Sequence, residues 1–331
     1  MSLFKRVAAQ VDKYTQPSNK AYSGRLIKHY AHLKMRFAMV GTVGAGKTTE
    51  CAKMLVTAHT RSEDDPNFFC RLVEHKSNLR VSASNLRKGV FPPKTLPMGK
   101  TTQEAGLQII RKSMFGEKRL HIPVMDVAGE DIQYMLEDYD DNEPDDTPNW
   151  HRIKELLEYL KNSQGFIFVL PAPRAFIGRE QLEQEPEDLA ADPDVNVSRL
   201  LEQILNYKQL HHGNAIRAIA IIISKYDLCQ DYCIKNEMDL YTESGMRQFM
   251  KVYFPDTNMQ LKFLQQKGLV RFFPSHVDLK RDQNRTPLLW NAPGQAHNGS
   301  PVIEVDPRTR RPKYSENASM ALFDYLEQFA S

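Results

Sequence analysis

Short apolar runs recur along the chain and are separated by stretches with helical periodicity. The runs predict strands at 35–40, 107–113, 119–127, 165–170, 217–224 and 270–274. The run RAIAIIIS at 217–224 is apolar almost throughout, as expected of a strand that helices cover on both faces. MFGEK joins the second and third runs and predicts a hairpin there.

Between these strands, apolar positions recur at the spacing of an amphipathic helix. The spacing predicts helices over 48–60, 198–210 and 243–254, and a terminal helix with Leu322, Phe323, Leu326 and Phe329 on one face. Strands that alternate with helices predict an α/β fold with a mostly parallel sheet.

Three polar stretches interrupt this pattern and predict insertions. Residues 61–103 are poorly patterned and contain prolines and glycines, so we expect a loop there. EDYDDNEPDD at 137–146 has seven acidic residues in ten, and 281–313 is rich in Pro, Gly, Asn and Arg. The predicted organisation is a helical N-terminal extension over 1–34 and one domain over 35–331, with insertions at about 61–103, 137–150 and 281–313.

The composition is that of a soluble globular protein, with 331 residues of which 41% are hydrophobic and 26% charged. The net charge of +3 gives no reason to expect nucleic acid as a partner. Four scattered cysteines fit a reduced, cytoplasmic protein. Every apolar run is far shorter than the roughly 20 residues that span a bilayer, and Ser2 excludes N-myristoylation. No stable membrane anchor is therefore expected.

The stretch GTVGAGKTT at 41–49 carries the strongest chemical signal. Its first eight residues fit the pattern GxxxxGK[ST] of a phosphate-binding loop, between a predicted strand and a predicted helix. Glycines let backbone N–H groups turn toward phosphate oxygens, and the helix N-terminus favours negative charge. Lys47 is expected at the β- and γ-phosphates and Thr48 at Mg²⁺. The expected phosphate-binding residues are Gly44, Ala45, Gly46, Lys47, Thr48 and Thr49.

A second signal lies in HIPVMDVAGED, where an apolar strand ends in Asp126 and Gly129 follows three residues later. In phosphate-loop enzymes an acidic residue at this place holds the Mg²⁺ shell, because carboxylate oxygen suits this hard cation. Gly129 would offer its backbone N–H to a γ-phosphate. The residues that follow it would then respond to whether that phosphate is present.

IIISKYD at 221–227 supplies a third signal, because a buried strand delivers Lys225 and Asp227 to its end. A carboxylate there can accept two hydrogen bonds, from the ring N–H and the exocyclic amine of guanine. Adenine lacks this pair of donors and would leave the carboxylate unpaired. The stem of Lys225 would cover the face of the base. Taken alone, the same residues would also suit an ordinary turn at a strand end.

These three pieces, in this order, resemble the Ras-like small GTPase branch of the translation-factor-related P-loop GTPases. GTVGAGKT resembles that family's phosphate loop, DVAG its DxxG motif and SKYD its [NT]KxD motif. PSHVD at 274–278 resembles the SAK loop, whose backbone N–H meets the guanine oxygen, with Ser275 and His276 at the matching positions. The resemblance runs from about residue 35 to residue 330. It implies a three-layer P-loop NTPase fold with one antiparallel edge strand, and GTP or GDP with Mg²⁺ as cofactors; no subfamily is identified.

Three positions depart from that family's pattern. Ser224 replaces the Asn or Thr whose side chain braces the phosphate loop, and the shorter side chain implies weaker base affinity. His276 and Val277 replace Ala and Lys, so packing over the base must differ. Glu130 follows Gly129, where many relatives have a Gln that orients the attacking water. A γ-phosphate would repel the Glu130 carboxylate, which disfavours the closed geometry. Glu130 would then act either as a base or simply as a residue that the helix dipole favours at a helix N-terminus.

The family's switch threonine precedes the strand at 107–113 and closes over Mg²⁺. Thr95, Thr101 and Thr102 all qualify by position. Thr95 lies in FPPKTLP, where prolines restrict the backbone, whereas Thr102 lies nearer the strand. The sequence does not choose among them. The candidate metal ligands are therefore Thr48, Asp126, Thr95 and Thr102.

The leading hypothesis is a GTPase that hydrolyses GTP to GDP with Mg²⁺, slowly without a partner, with Lys47 and Glu130 as catalytic candidates. Segments 88–104 and 129–150 would change order with the γ-phosphate and contact regulatory or effector proteins. The same phosphate loop would also serve an ATPase or small-molecule kinase, or a non-hydrolysing nucleotide-bound scaffold. The SKYD motif argues against an ATPase or kinase, because its carboxylate suits guanine. Glu130, which replaces the water-orienting Gln, is compatible with a scaffold that does not hydrolyse the nucleotide. The sequence gives no oligomeric state.

Overall fold

The computed structural model describes residues 37–42, 44–74, 79–92, 104–114, 116–125, 160–173, 176, 192–210, 215–283, 287–290 and 300–329. The predicted N-terminal extension over 1–34 and the acidic insertion at 137–150 lie outside the described residues.

Strands alternate with helices along the described chain. The strands are β1 (Phe37–Gly41), β2 (Phe68–Glu74), β3 (Glu104–Ser113), β4 (Gly116–Met125), β5 (Gly165–Pro171), β6 (Ala218–Ser224), β7 (Val270–Pro274), β8 (Leu289–Trp290) and β9 (Ser300–Pro301). The helices are α1 (Lys47–Asp64), α2 (Leu79–Arg87), α3 (Pro193–Leu210), α4 (Gln230–Lys235), α5 (Glu243–Tyr253), α6 (Pro255–Gln266) and α7 (Glu316–Glu327). Of these helices, none combines the length and the apolar character that a bilayer crossing requires.

The larger sheet is parallel and has the strand order β1-β5-β6-β7. An antiparallel sheet with the order β2-β3-β4 lies beside it, where β4 contacts β1. The predicted α/β class with a mostly parallel sheet is therefore confirmed. Gly165 of β5 pairs with Phe37 of β1, and a Cβ atom at Gly165 would lie only 2.4 Å from the Phe37 ring. The absence of a Cβ atom at Gly165 thus leaves room for the Phe37 ring beside β5.

Side chains alternate between the two faces of the parallel sheet and enter two separate cores. Val40, Phe168 and Ile221 belong to a core that includes residues of α3, α5 and α6. The neighbouring strand positions belong to a core shared with α1, α2 and α7, for example Ile167 and Ile222. Helices on both faces of one sheet give three layers, and they explain why β6 is apolar along its whole length.

The stretch 61–103, expected as loop, contains β2 and α2 in its described part. β2 pairs antiparallel with the outer edge of β3 and buries Phe68 against the Phe323 ring, with the ring centroids 6.0 Å apart. Helix α2 places Leu79, Ala83 and Leu86 in the same core. Both elements are short, and neighbours distant in the sequence supply most of their packing, so local periodicity was too weak to predict them.

The segment after β7 folds back onto this added region. Val302 forms a bridge with Val90, and the N–H of Ile303 donates to the carbonyl of Gly89 at 2.8 Å. Ile303 is fully buried. The described parts of the two insertions, 61–103 and 281–313, thus pack against one another and are not independent surface loops.

Candidate functional site

The phosphate-loop sequence connects β1 to the first turn of α1. Gly44 and Gly46 both adopt left-handed backbone conformations, with φ of 68° and 88°. A residue with a Cβ atom adopts this region only with strain, so the two glycines are needed where they stand. Gly46 immediately precedes Lys47, the first residue of α1, so the N-terminal amides of an 18-residue helix follow the loop.

The first glycine of the motif is required by close packing. A Cβ atom at Gly41 would lie 2.6 Å from the carbonyl oxygen of Val169 in β5, which is backbone that cannot move aside. The ammonium group of Lys47 lies over the same turn and donates to the carbonyls of Gly41 at 2.7 Å and Thr42 at 3.0 Å. The loop therefore carries a positive group on its own rim, beside the helix N-terminus.

Ser224, at the end of β6, joins the phosphate loop to the next motif. Its buried hydroxyl lies 2.6 Å from the carbonyl of Ala45 and 3.2 Å from that of Leu170. The position expected to brace the phosphate loop thus contacts it directly, although the residue is Ser where the family has Asn or Thr. Because Ser224 lies three residues before Asp227, this hydrogen bond fixes the end of β6 that leads to Asp227 against the phosphate loop.

The turn after β6 carries the carboxylate expected to read guanine. Lys225 has a left-handed backbone with φ of 57°, and the following 3₁₀ turn over Tyr226–Leu228 includes Asp227. Burial raises the pKa of Asp227, while the nearby His276 and Arg281 lower it. The N–H of Tyr226 donates to the carbonyl of Ser275 at 3.0 Å. This bond brings the turn next to residues 274–278, which we call the base loop.

The base loop is held by hydrogen bonds on both sides. The N–H of Ser275 donates to the carbonyl of Ile223 at 2.8 Å, and the N–H of His276 donates to Ser315 Oγ at 3.1 Å. The His276 ring lies 6.4 Å from the Tyr226 ring, and burial lowers the pKa of its imidazole. The structure therefore brings Ser275 and His276 beside the Asp227 turn, with the His276 amide donating to Ser315.

Sequence reasoning missed two charged residues of α1 that contact the base loop. Lys53 is fully buried and Glu50 nearly so, and both contact the hydroxyl of Ser275. The signal in the sequence was a Glu and a Lys three residues apart inside the otherwise apolar stretch ECAKMLV. Charged residues within an apolar helical stretch are seldom fully buried without a partner, so their pairing could have been suspected.

The remaining predicted site residues fall on parts of the chain that the structure does not describe. These are Asp126, Gly129, Glu130, Thr95, Thr101 and Thr102. Asp126 comes directly after Met125, the last residue of β4. Thr48 is described and lies in the first turn of α1. Within the described residues, no group of three or more His, Cys, Asp or Glu side chains is arranged to hold a metal ion.

Comparisons with known proteins identify no family. No protein-family model matches the chain. No curated protein matches its sequence. Among solved structures, the chain is similar to one titled "Signal recognition particle receptor SRb-GTP/SRX complex from Chaetomium thermophilum", at 13% identity over 70% of this chain and 82% of that chain, with a TM-score of 0.31. A likeness this distant does not establish a function for the chain.

Proposed function

We propose that the chain is a guanine-nucleotide-binding protein that hydrolyses GTP to GDP with Mg²⁺ and acts as a slow, nucleotide-dependent switch toward protein partners. The observation that carries the proposal is the contact of Ser224 with Ala45. This hydrogen bond joins the candidate phosphate loop to the end of β6, three residues before Asp227. One nucleotide would then bind across two adjacent motifs, at the carboxyl ends of parallel strands.

The phosphate end of the proposed site fits a triphosphate. Gly44 and Gly46 turn the backbone as a phosphate cradle requires, and α1 adds the positive end of its dipole. Lys47 would exchange its two carbonyl contacts for phosphate oxygens, and Thr48 with Asp126 would hold Mg²⁺, which neutralises phosphate charge when bound. Thr95 or Thr102 would complete the metal shell.

The base end fits guanine. The Asp227 carboxylate would accept hydrogen bonds from the ring N–H and the 2-amino group, and Lys225 would lie across the base. Burial already raises the pKa of Asp227, so a base without that pair of donors would leave a poorly hydrated carboxylate unpaired. The candidates for the guanine oxygen are the backbone N–H groups of Ser275 and His276 in the base loop. These amides donate to the carbonyl of Ile223 and to Ser315 Oγ, so one of them would have to exchange that bond for the guanine oxygen.

The proposed hydrolysis is slow. Glu130 stands where a neutral amide would orient water, and its carboxylate would be repelled by a γ-phosphate. A partner protein would supply the missing group, and regulatory or effector proteins would contact segments 88–104 and 129–150. We place this switch in the cytoplasm, where it would act on protein partners.

Calorimetric titration with GDP and with ADP in the presence of Mg²⁺ tests the base preference. We expect GDP to bind at least tenfold more tightly, because adenine cannot satisfy Asp227. Asp227→Asn should lose GDP affinity and gain affinity for xanthosine diphosphate, whereas Asp231→Asn, an exposed neighbour, should behave as the wild-type chain. Tighter binding of ADP would instead support an ATPase or a small-molecule kinase.

Phosphate release from GTP tests the enzymatic half of the proposal. Slow phosphate release by the wild-type chain, together with faster release by the Glu130→Gln variant, would support hydrolysis that the Glu130 carboxylate limits. No release over hours, with GTP still bound, would favour a non-hydrolysing scaffold.

A further inference from the structure

A buried ion pair lies in α1, against the base loop. Lys53 is 0% exposed and Glu50 6%, and the Lys53 Nζ atom is 3.3 Å from Glu50 Oε1. Burial lowers the pKa of Lys53, and the Glu50 carboxylate opposes that shift. Removing two charges from water is costly, and apolar residues of similar volume are often at least as stabilising. Stability alone therefore does not account for this pair.

Both charged groups contact the base loop. The hydroxyl of Ser275 lies 2.8 Å from each carboxylate oxygen of Glu50 and accepts a hydrogen bond from Lys53. On its other side, the Ser275 N–H donates to the carbonyl of Ile223 at 2.8 Å. Ser275 is thus fixed between β6 and α1.

Lys53 also contacts the residue that holds the backbone of His276. Its Nζ atom is 3.5 Å from Ser315 Oγ and 5.6 Å from the centre of the Tyr314 ring. A serine at a helix N-cap ordinarily accepts a hydrogen bond from the first turn of its own helix, but Ser315 makes no such bond in α7. Its hydroxyl accepts the N–H of His276 instead. A capping group is therefore used to hold the base loop.

The same helix carries the phosphate end of the site. Helix α1 begins at Lys47, and the N–H of Glu50 donates to the carbonyl of Gly46 at 2.9 Å. We propose that Lys53 is a positioning residue for guanine recognition. Together with Glu50 it holds the base loop against α1, at the separation from the phosphate loop that a guanine nucleotide requires. This inference rests on the guanine-nucleotide binding proposed above.

The role predicts a selective loss of affinity. Without the ammonium group of Lys53, the base loop loses its contact with that group and is held to α1 only through a Glu50 carboxylate that has lost its neighbouring cation, while the phosphate loop keeps all its own contacts. The Lys53→Met variant should therefore bind GDP about tenfold more weakly, and it should bind inorganic pyrophosphate, which has no base, within about twofold of the wild-type affinity. Calorimetric titration of the full chain with each ligand, in Mg²⁺, measures both constants.

Two further variants sharpen the experiment. Lys262→Met changes an exposed lysine on α6 and should leave both affinities unchanged. Glu50→Gln/Lys53→Met removes both charges, so no unpaired carboxylate remains buried if the single variant fails to fold. It should show the same selective loss of GDP binding.

The possible outcomes separate this inference from the proposed function. Equal weakening of GDP and pyrophosphate, or wild-type GDP affinity in a folded variant, would overturn the positioning role alone. A wild-type chain that does not bind GDP would overturn the proposed function and this inference together.

Discussion

One buried hydroxyl, that of Ser224, links the phosphate loop to the end of β6. It bonds the carbonyl of Ala45 in the phosphate loop, and it is 2% exposed, so water cannot replace it if the hydroxyl is lost. An unpaired buried carbonyl costs about 1–3 kcal/mol. Replacing Ser224 therefore tests directly whether this hydroxyl links the phosphate loop to the motif that contains Asp227.

Ser224→Ala should lower the free energy of unfolding by about 1–3 kcal/mol and weaken GDP binding by about tenfold. Urea unfolding and calorimetry measure the two effects. Ser198→Ala is the matched control, because among the described residues the Ser198 hydroxyl bonds within its own helix, to Val195 at 3.0 Å, and alanine favours helix. A Ser224→Ala variant with unchanged GDP affinity would show that the brace does not support the phosphate loop.

His276 predicts a pH dependence of stability. Burial lowers the pKa of its imidazole, although the Asp278 carboxylate, 3.4 Å from Nε2, raises it. The unfolded chain, with an ordinary histidine pKa of about 6.5, then takes up the proton first. The stability due to neutral His276 is therefore complete above that pH and is lost as the pH falls toward the folded pKa.

His276→Asn removes this titration, so its free energy of unfolding should fall less steeply between pH 7.5 and pH 5 than that of the wild-type chain. Urea unfolding at several pH values measures both slopes. Parallel slopes for the two proteins would contradict a buried, neutral His276.

The residues of the site were predictable to different degrees. The candidate phosphate loop is contiguous, and Gly44 and Gly46 have the left-handed backbone that favours glycine, so this part of the site could be predicted from a local pattern; that the loop binds phosphate stays a prediction. Lys53 and Glu50 contact Ser275 and Ser315, more than 200 positions away. The local sequence suggests at most that the two charges have a partner, and it gives no indication that the partners are serines so far along the chain.

At the scale of elements, α6 depends on a carboxylate from another helix. Asp194 of α3 is buried, and its two oxygens accept the N–H groups of Asp256 and Thr257, each at 2.8 Å. Phe254, at the N-cap of α6, provides no side-chain cap of its own. Asp194 therefore satisfies two amides of the first turn that α6 leaves without partners.

Asp194→Ala should reduce the free energy of unfolding by about 1–3 kcal/mol and leave GDP affinity within twofold, because neither α3 nor α6 contributes a residue to the two loops. Urea unfolding and a GDP titration check both statements. The control Glu243→Gln breaks an exposed pair with Arg247 and should cost about 1 kcal/mol or less. A loss no greater than that of the control would show that Asp194 does not cap α6.

Elements were predictable where their own periodicity is strong. β6 and α7 carry continuous apolar faces and were identified, whereas β2 and α2 were expected as loop. β2 forms a strand because the edge of β3 offers hydrogen-bond partners. α2 forms a helix because its few apolar residues pack into the core that α1 and α7 share. Tertiary contacts of this kind are absent from any local window of sequence.

For the whole molecule, the two cores meet at the sheet, and the proposed nucleotide site lies at the carboxyl ends of that sheet's strands. A ligand that binds only the folded chain raises its stability in proportion to the logarithm of its concentration. GDP with Mg²⁺ at 100 times its dissociation constant should therefore stabilise the wild-type chain by about 2.7 kcal/mol and raise its melting temperature.

Lys47→Ala should abolish the rise in melting temperature that GDP causes. The variant lacks the ammonium group, which donates to the carbonyls of Gly41 and Thr42 and would donate to the phosphates instead when GDP binds. Thermal unfolding with and without GDP measures the difference. Lys235→Ala, which changes an exposed lysine of α4, should keep the full rise. An equal rise in the Lys47→Ala variant would place GDP elsewhere on the molecule, since a ligand held at the phosphate loop cannot stabilise the fold equally well without its main positive charge.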